Sequence, residues 1–504
     1  MSDERRDEGL NGSVSTARFE TGVPNLDRVL GGGFRRGSTV MVIGAPGTGK
    51  TILAQQIAFH GAARGEAALV LTAFSETHDK LLAHSQGLRF FDPELIGETI
   101  QFTSLTDVLR QGADETIEAI VATARELGAR LVVLDGFRGM REILAQQEQI
   151  VPFLYTLGAK LALLGATTLI VVEGDPDESA RYPELTVCDA IVALRRRLQG
   201  NRSRRLLEVV KIRGAAPLEG IHPYTISVDG LTVYPRFESV VTAREPAWDP
   251  GRVEFGLPDV DALLGGGLTA GTTTLAAGSP GVGKTLLGLH FVTTGARREE
   301  PALFLGFMES AVQLREKARM FGLGLDAAEE AGRVRLMILP AYDLEADRVA
   351  DLLVRDIERR GVQRLVIDSA GELENSTTSD ARKVPFLAAL VGYLRDRSVT
   401  AYVTLDINTI VGPALELAGT PLSVLAENLL ILRYAEYHGQ LHRLFSVIKM
   451  RFSDYDRGLR EFTMRPGHGL ELLGRPPAAI GLLTGIAQPI PGPLGAHATP
   501  GSDV

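Results

Sequence analysis

Gly44-Ala45-Pro46-Gly47-Thr48-Gly49-Lys50-Thr51 and Gly278-Ser279-Pro280-Gly281-Val282-Gly283-Lys284-Thr285 are two copies of one pattern, G-x-x-x-x-G-K-[ST], in a single chain. Each follows an apolar run, Thr39 to Ile43 and Thr273 to Ala277, and precedes a helix-like segment. Strand, glycine-rich loop and helix in that order make a phosphate site. Glycines let the backbone curl until successive N–H groups face phosphate oxygens, and the following helix adds its positive N-terminal end. Gly44, Gly47 and Gly49, with Gly278, Gly281 and Gly283, are the expected cradles. Lys50 and Lys284 are expected to reach the β- and γ-phosphates, and the Thr51 and Thr285 hydroxyls to ligate Mg²⁺.

Outward from these loops the chain repeats itself. Thr21-Gly-Val-Pro-Asn-Leu-Asp-Arg-Val-Leu-Gly-Gly-Gly-Phe34 returns as Phe255-Gly-Leu-Pro-Asp-Val-Asp-Ala-Leu-Leu-Gly-Gly-Gly-Leu268. The shift, 234 residues from 21 to 255, is the same as from Lys50 to Lys284, so this is an internal duplication. Within each half, short β-rich runs alternate with amphipathic segments, the pattern of a mostly parallel sheet flanked by helices. Ala68–Thr72, Leu131–Leu134, Thr168–Val172, Ala190–Leu194 and Leu206–Ile212 are expected strands in the first half. Ala302–Leu305, Arg364–Ile367, Thr400–Thr404, Leu429–Leu432 and Leu444–Lys449 are their counterparts in the second. Each half closes on a hairpin, Ile191–Ile212 and Leu430–Met450, and the order resembles RecA-type ATPases.

Expected boundaries are a disordered N-terminus over 1–17, domains over 18–241 and 253–473, a linker over 242–252 holding Trp248, and a Pro/Gly-rich tail over 474–504. With 45% hydrophobic and 23% charged residues, both halves can bury a core. A net charge of -9 argues against a constitutive nucleic-acid coat, whose binding rests on phosphate neutralisation. One cysteine, Cys188, excludes an intramolecular disulfide and reads as core filler in a reducing compartment. The charged N-terminus has no apolar signal core, and the longest apolar run, Leu161 to Val172, is about twelve residues where a bilayer needs roughly twenty. A cytoplasmic protein with no membrane contact is expected.

A phosphate site of this kind also needs an acid at the end of a neighbouring strand to hold the metal through its water shell. Asp135 and Asp368 each end an apolar run and are the candidates. Glu76 and Glu309, just after the second strand of each half, read either as groups that orient the attacking water or as acids at a helix start. Lys211 with Arg213 and Lys449 with Arg451 end the last strand of each hairpin. Their spacing of two suggests one shared face, and either a cationic finger toward a neighbour's γ-phosphate or a solvated strand end. The first hairpin alone is strongly basic, with Arg195-Arg-Arg197, Arg202, Arg204 and Arg205. It lacks interleaved aromatics for base stacking, so a solvated or acid-facing hairpin is the reading.

At this point the chain resembles the KaiC family of circadian-clock ATPases over residues 17 to 470, in both repeats and their order. The likeness rests on both loops and Gly-Gly-Gly segments, Gly200-Asn-Arg-Ser-Arg-Arg-Leu-Leu-Glu-Val-Val-Lys-Ile-Arg-Gly214, Ile367-Asp-Ser369, Tyr434-Ala-Glu-Tyr-His-Gly439 and Val447-Ile-Lys-Met-Arg451. The resemblance implies a double-ring homohexamer that hydrolyses ATP slowly at subunit boundaries. Lys50, Thr51 and Asp135 serve one ring and Lys284, Thr285 and Asp368 the other, with the Lys-Arg pairs arriving from the neighbour. It also implies serine/threonine autokinase activity in the second ring. Two departures follow. The family has two consecutive glutamates after the second strand, whereas here Ser75-Glu76 and Met308-Glu309 keep one each, and Met308 cannot accept a proton. The family's phosphorylated pair reads Ser423-Val424, leaving Ser423 as the one acceptor. The expected function is a KaiC-like ATPase switch for signalling partners. The alternatives kept open are a DNA-engaged RecA/helicase-like motor and a nucleotide-gated scaffold without catalysis.

Overall fold

The computed structural model describes residues 17–72, 84–104, 112–137, 147–175, 177–178, 182–199, 202–241, 251–407, 421–437, 439–476, 479–480 and 488–489. The chain divides into two compact units, Met1–Val240 and Val241–Val504. Residues 1–16 of the expected disordered N-terminus and Trp248 lie outside the described residues, as does most of the expected linker and tail.

Among the described residues the main sheet of the first unit has nine strands: β1 (Thr39–Gly44), β2 (Ala68–Thr72), β3 (Ile100–Ser104), β4 (Leu131–Asp135), β5 (Thr167–Glu173), β6 (Ala190–Gln199), β7 (Arg202–Ile212), β8 (Ile221–Ser227) and β9 (Gly230–Val233). Their order is β3-β2-β4-β5-β1-β6-β7-β8-β9. The run from β3 to β6 is parallel, and β7, β8 and β9 are added antiparallel. The second unit repeats this with β10 (Thr273–Gly278), β11 (Ala302–Gly306), β12 (Val334–Ile338), β13 (Arg364–Asp368), β14 (Thr400–Asp406), β15 (Asn428–Tyr437), β16 (Gln440–Met450), β17 (Arg460–Arg465) and β18 (Gly469–Gly474), ordered β12-β11-β13-β14-β10-β15-β16-β17-β18. These are tandem RecA-like α/β domains, each a mostly parallel sheet flanked by helices.

Burial on both faces explains why the central strands read as unbroken apolar runs. Along β1, Val40 and Val42 join Leu53 and Ile57 of helix α1 (Lys50–Ala63) in one cluster. Met41 and Ile43 point the other way, into a cluster with Ile117 of α2 (Ala113–Leu127) and Leu157 of α3 (Gln147–Leu163). In the second unit, α4 (Lys284–Arg297) buries residues on every side, among them Leu286, Leu287, Leu289, Phe291 and Val292, as a helix enclosed in its core must. Each expected strand is present, most extended by a residue or more, so that Asp135 and Asp368 are the last residues of β4 and β13. Strands at the sheet edges were not expected. Pro223 in β8 speaks against a strand by composition, yet it pairs with Leu206, and β12 exposes Arg335 on an edge.

Lys211 and Lys449 lie within β7 and β16, and Arg213 and Arg451 stand one residue past the strand ends. Just before each lysine the pairing carries a bulge, where Val210 and Ile448 are the extra residues. A bulge bends its strand and re-aims the side chains that follow, here Lys211 and Lys449.

Candidate functional site

In the second unit the loop after β10 is fixed by two glycines. A Cβ on Gly278 would lie 1.9 Å from the Leu432 carbonyl oxygen of the adjacent strand, and Gly283 has a φ of 121°, open only to glycine at little cost. Lys284, first residue of α4, is buried, and its Nζ donates to the carbonyls of Gly278 and Ser279, each at 2.9 Å. The same ammonium pairs with Asp406 Oδ1 at 2.7 Å. Thr285 Oγ1 donates to Asp368 Oδ2 at 2.7 Å, and the buried Thr404 hydroxyl donates to Asp368 Oδ1. Tyr434 Oη holds the loop from the hairpin side by donating to the Gly281 carbonyl at 3.0 Å.

Burial raises the Asp368 carboxyl above its ordinary value; the two threonine hydroxyls oppose this, and the Glu309 and Asp406 carboxylates add to it. A carboxyl so placed is one that a divalent cation would stabilise in its charged form. One hydroxyl and one carboxylate, both oxygen donors, suit Mg²⁺, which keeps several waters and takes its remaining ligands from phosphate. The residues therefore fit the metal. Glu309 faces the same 430 Å³ cavity as Lys284, Thr285 and Asp368.

The first unit repeats the arrangement more loosely. Lys50 Nζ donates to the Ala45 carbonyl at 3.0 Å, and Tyr224 Oη to the Thr48 carbonyl at 2.5 Å. Burial lowers the Lys50 ammonium, against the pull of the Glu173 and Asp135 carboxylates. Glu173 pairs in register with Gly44 as Asp406 does with Gly278. Glu76 lies outside the described residues. Asp406, Glu173, Thr404 and the two tyrosines were missed in the sequence. For Asp406 and Glu173 the signal was available, since each closes an apolar run just as Asp135 and Asp368 do.

The cationic pairs are not gathered at these loops. Lys211 Nζ donates to the Thr186 carbonyl at 3.3 Å and Arg213 pairs with Asp189 at 3.4 Å, while the Asp189 N–H donates to Thr39, at the start of β1. Lys449 Nζ donates to the Ser423 carbonyl at 3.4 Å, and the Glu427 N–H donates to Thr273, at the start of β10. Both pairs, and Ser423 in its short helix Pro421–Leu425, therefore sit at the end of their sheet opposite the loop, a strand length of roughly 17–20 Å away.

The basic hairpin is partly neutralised: Arg195 pairs with Asp177 at 2.6 Å and Glu208 at 2.9 Å. Cys188 is buried and its thiol pushed up to about 12 by that burial. None of the described helices is long and apolar enough to cross a membrane.

A family model described as "ATPase: KaiC" matches residues 19–238 and 253–476. Curated relatives agree in length. The chain is 28% identical over 469 residues to the circadian clock oscillator protein KaiC of Picosynechococcus sp., spanning 91% of this chain and 90% of that protein. It is 27% identical to KaiC 1 of Synechocystis sp., over 89% and 87% of the two chains. For the Synechococcus elongatus protein the figures are 27%, 88% and 87%.

Proposed function

The chain belongs to the KaiC family of ATPases, and on that premise we propose that it is a slowly hydrolysing ATP switch that works as a cytoplasmic homohexamer, with each nucleotide held between neighbouring subunits. The observation that carries this reading is the separation within each sheet: Lys449 and Arg451 lie at the opposite end from Lys284, and Lys211 and Arg213 from Lys50. Four cations so far from their own phosphate loop are suited to a neighbour's.

In each site the loop glycines and Lys50 or Lys284 bind the phosphates, and Thr51 with Asp135, or Thr285 with Asp368, hold Mg²⁺. The metal they would hold would supply positive charge to the phosphates and to the charge that develops there on hydrolysis. Asp406 keeps the Lys284 ammonium at the loop. Glu76 and Glu309 orient the attacking water and receive its proton. With one carboxylate per site where the family has two, turnover is slow.

Ser423 lies beside Lys449, so a neighbour's γ-phosphate is the one within reach, and serine autophosphorylation takes place between subunits. Signalling proteins that read the nucleotide state are the proposed partners. With Arg195 held by Asp177 and Glu208, and no interleaved aromatics for base stacking, the basic hairpin does not favour a DNA-engaged motor. Lys50→Met and Lys284→Met are each expected to remove one component of Mg-ATP hydrolysis, by ~10²-fold or more at the altered site, with the double variant inactive. Phosphate release unaffected by both would refute the reading. Intact mass after Mg-ATP incubation is expected to rise by one phosphate in the native chain and not in Ser423→Ala.

A further inference from the structure

Leu314, Lys317 and Phe321 line the nucleotide cavity of the second unit together. All belong to helix α5 (Ala311–Met320) or its C-terminal cap, and their spacing of three and four residues puts them on one helical face. Leu314 is buried and Phe321 packs against the core, so Lys317 is a cation set in an apolar stripe. Its ammonium is occupied: Nζ donates to Glu309 Oε1 at 2.6 Å and to Oε2 at 2.7 Å. Both oxygens of the one retained carboxylate are thus engaged by a single cation. The adjacent Met308 is 73% exposed and offers no second acceptor at that turn.

We propose that Lys317 is a positioning residue that docks Glu309 and thereby brakes hydrolysis in the second unit. This rests on the reading of Glu309 as the group that takes the water proton. In that step the water oxygen bonds to the γ-phosphorus, the bond from phosphorus to the bridging oxygen breaks with its electron pair leaving on ADP, and the proton passes to a Glu309 oxygen. The Lys317 ammonium competes for the same oxygens and is attracted to the charge that protonation removes. The pair must loosen before the transfer. Both side chains are about one-third exposed, 30% for Lys317 and 34% for Glu309, which makes the pair a screened, modest restraint rather than a lock.

The test uses the full chain carrying Lys50→Met, so that phosphate release reports the second unit. Lys317→Met removes the ammonium and keeps an unbranched apolar stem between Leu314 and Phe321. It is expected to raise kcat roughly two- to five-fold with KM nearly unchanged. Lys317→Arg is expected to stay near the parent rate, and the gain is expected to vanish when Glu309→Gln is added. Affinity for a fluorescent ATP analogue checks that the site is intact, with Lys317→Gln deciding the matter if the methionine variant does not bind. An unchanged kcat, or a fall rescued by Lys317→Arg, overturns the brake while leaving the ATPase reading in place. No phosphate release from the Lys50→Met chain removes both.

Discussion

Single side chains at the second site divide into those that motif spacing reveals and those that only a neighbour explains. Lys284 and Thr285 belong to a local pattern, and Asp368 is found by counting to the end of an apolar run. The partners of Asp368 and Lys284, Thr404 and Asp406, come from β14, and nothing local ties them to the loop. His290 is a second case: mid-helix in sequence, it is buried, with its Nε2 unpaired and its imidazole lowered from 6.5 to about 4 by that burial. A histidine kept neutral in the fold and free to protonate when unfolded stabilises fully above the unfolded value of 6.5. That contribution is lost as pH falls from 6.5 toward about 4, where the folded group also titrates. Denaturant melts of the second unit are expected to lose up to roughly 3 kcal/mol across this window relative to a His290→Leu variant, whose profile lacks this loss. Parallel profiles for the two proteins would contradict it.

At the scale of elements, helix α5 shows how a sequence signal and a functional contact coincide. Ser310 accepts from the Gln313 N–H at 3.3 Å while Gln313 Oε1 accepts from the Ser310 N–H at 2.8 Å, a reciprocal cap legible as Ser-x-x-Gln. The cap fixes the first turn immediately after Glu309, so it also fixes the distance to Lys317. Ser310→Ala is expected to cost about 1 kcal/mol in denaturant melts and to loosen the Glu309–Lys317 pair. If the brake holds, hydrolysis at the second site rises modestly with it. The expected strands were legible because their residues are buried on both faces and leave long apolar runs. The hairpins β8–β9 and β17–β18 were not, since one-sided burial and Pro223 blur the pattern. The bulges at Val210 and Ile448 leave no mark in sequence at all, because an extra residue in one strand is defined only against its partner.

For the assembled molecule, the separation between each phosphate loop and its own Lys-Arg pair carries the prediction. Lys284→Met and Arg451→Ala chains are each expected to lack normal second-site turnover alone. Random mixing of equal amounts is expected to restore about a quarter of the sites, those pairing an intact Lys284 with a neighbour's intact Arg451. Native mass spectrometry with Mg-ATP is expected to give six subunits in the same samples. Mixtures no more active than their components would rule out shared sites.

The sequence by itself determined the duplication, the parallel α/β architecture and the phosphate loops, because each is written in short-range order: a motif, a period, a fixed repeat. It also determined which chemical groups were present, down to the solitary Glu309 beside Met308 and the solitary Ser423 beside Val424. Tertiary structure alone decided what those groups face. Asp406 meets Lys284 because β14 lies beside β10 in the sheet, and Lys317 meets Glu309 because α5 folds its last turn over the cavity. Lys449 is carried to the opposite end of the sheet because β16 runs antiparallel to β15. Contacts between residues distant along the chain follow from strand order and helix packing, and neither is encoded in any one stretch.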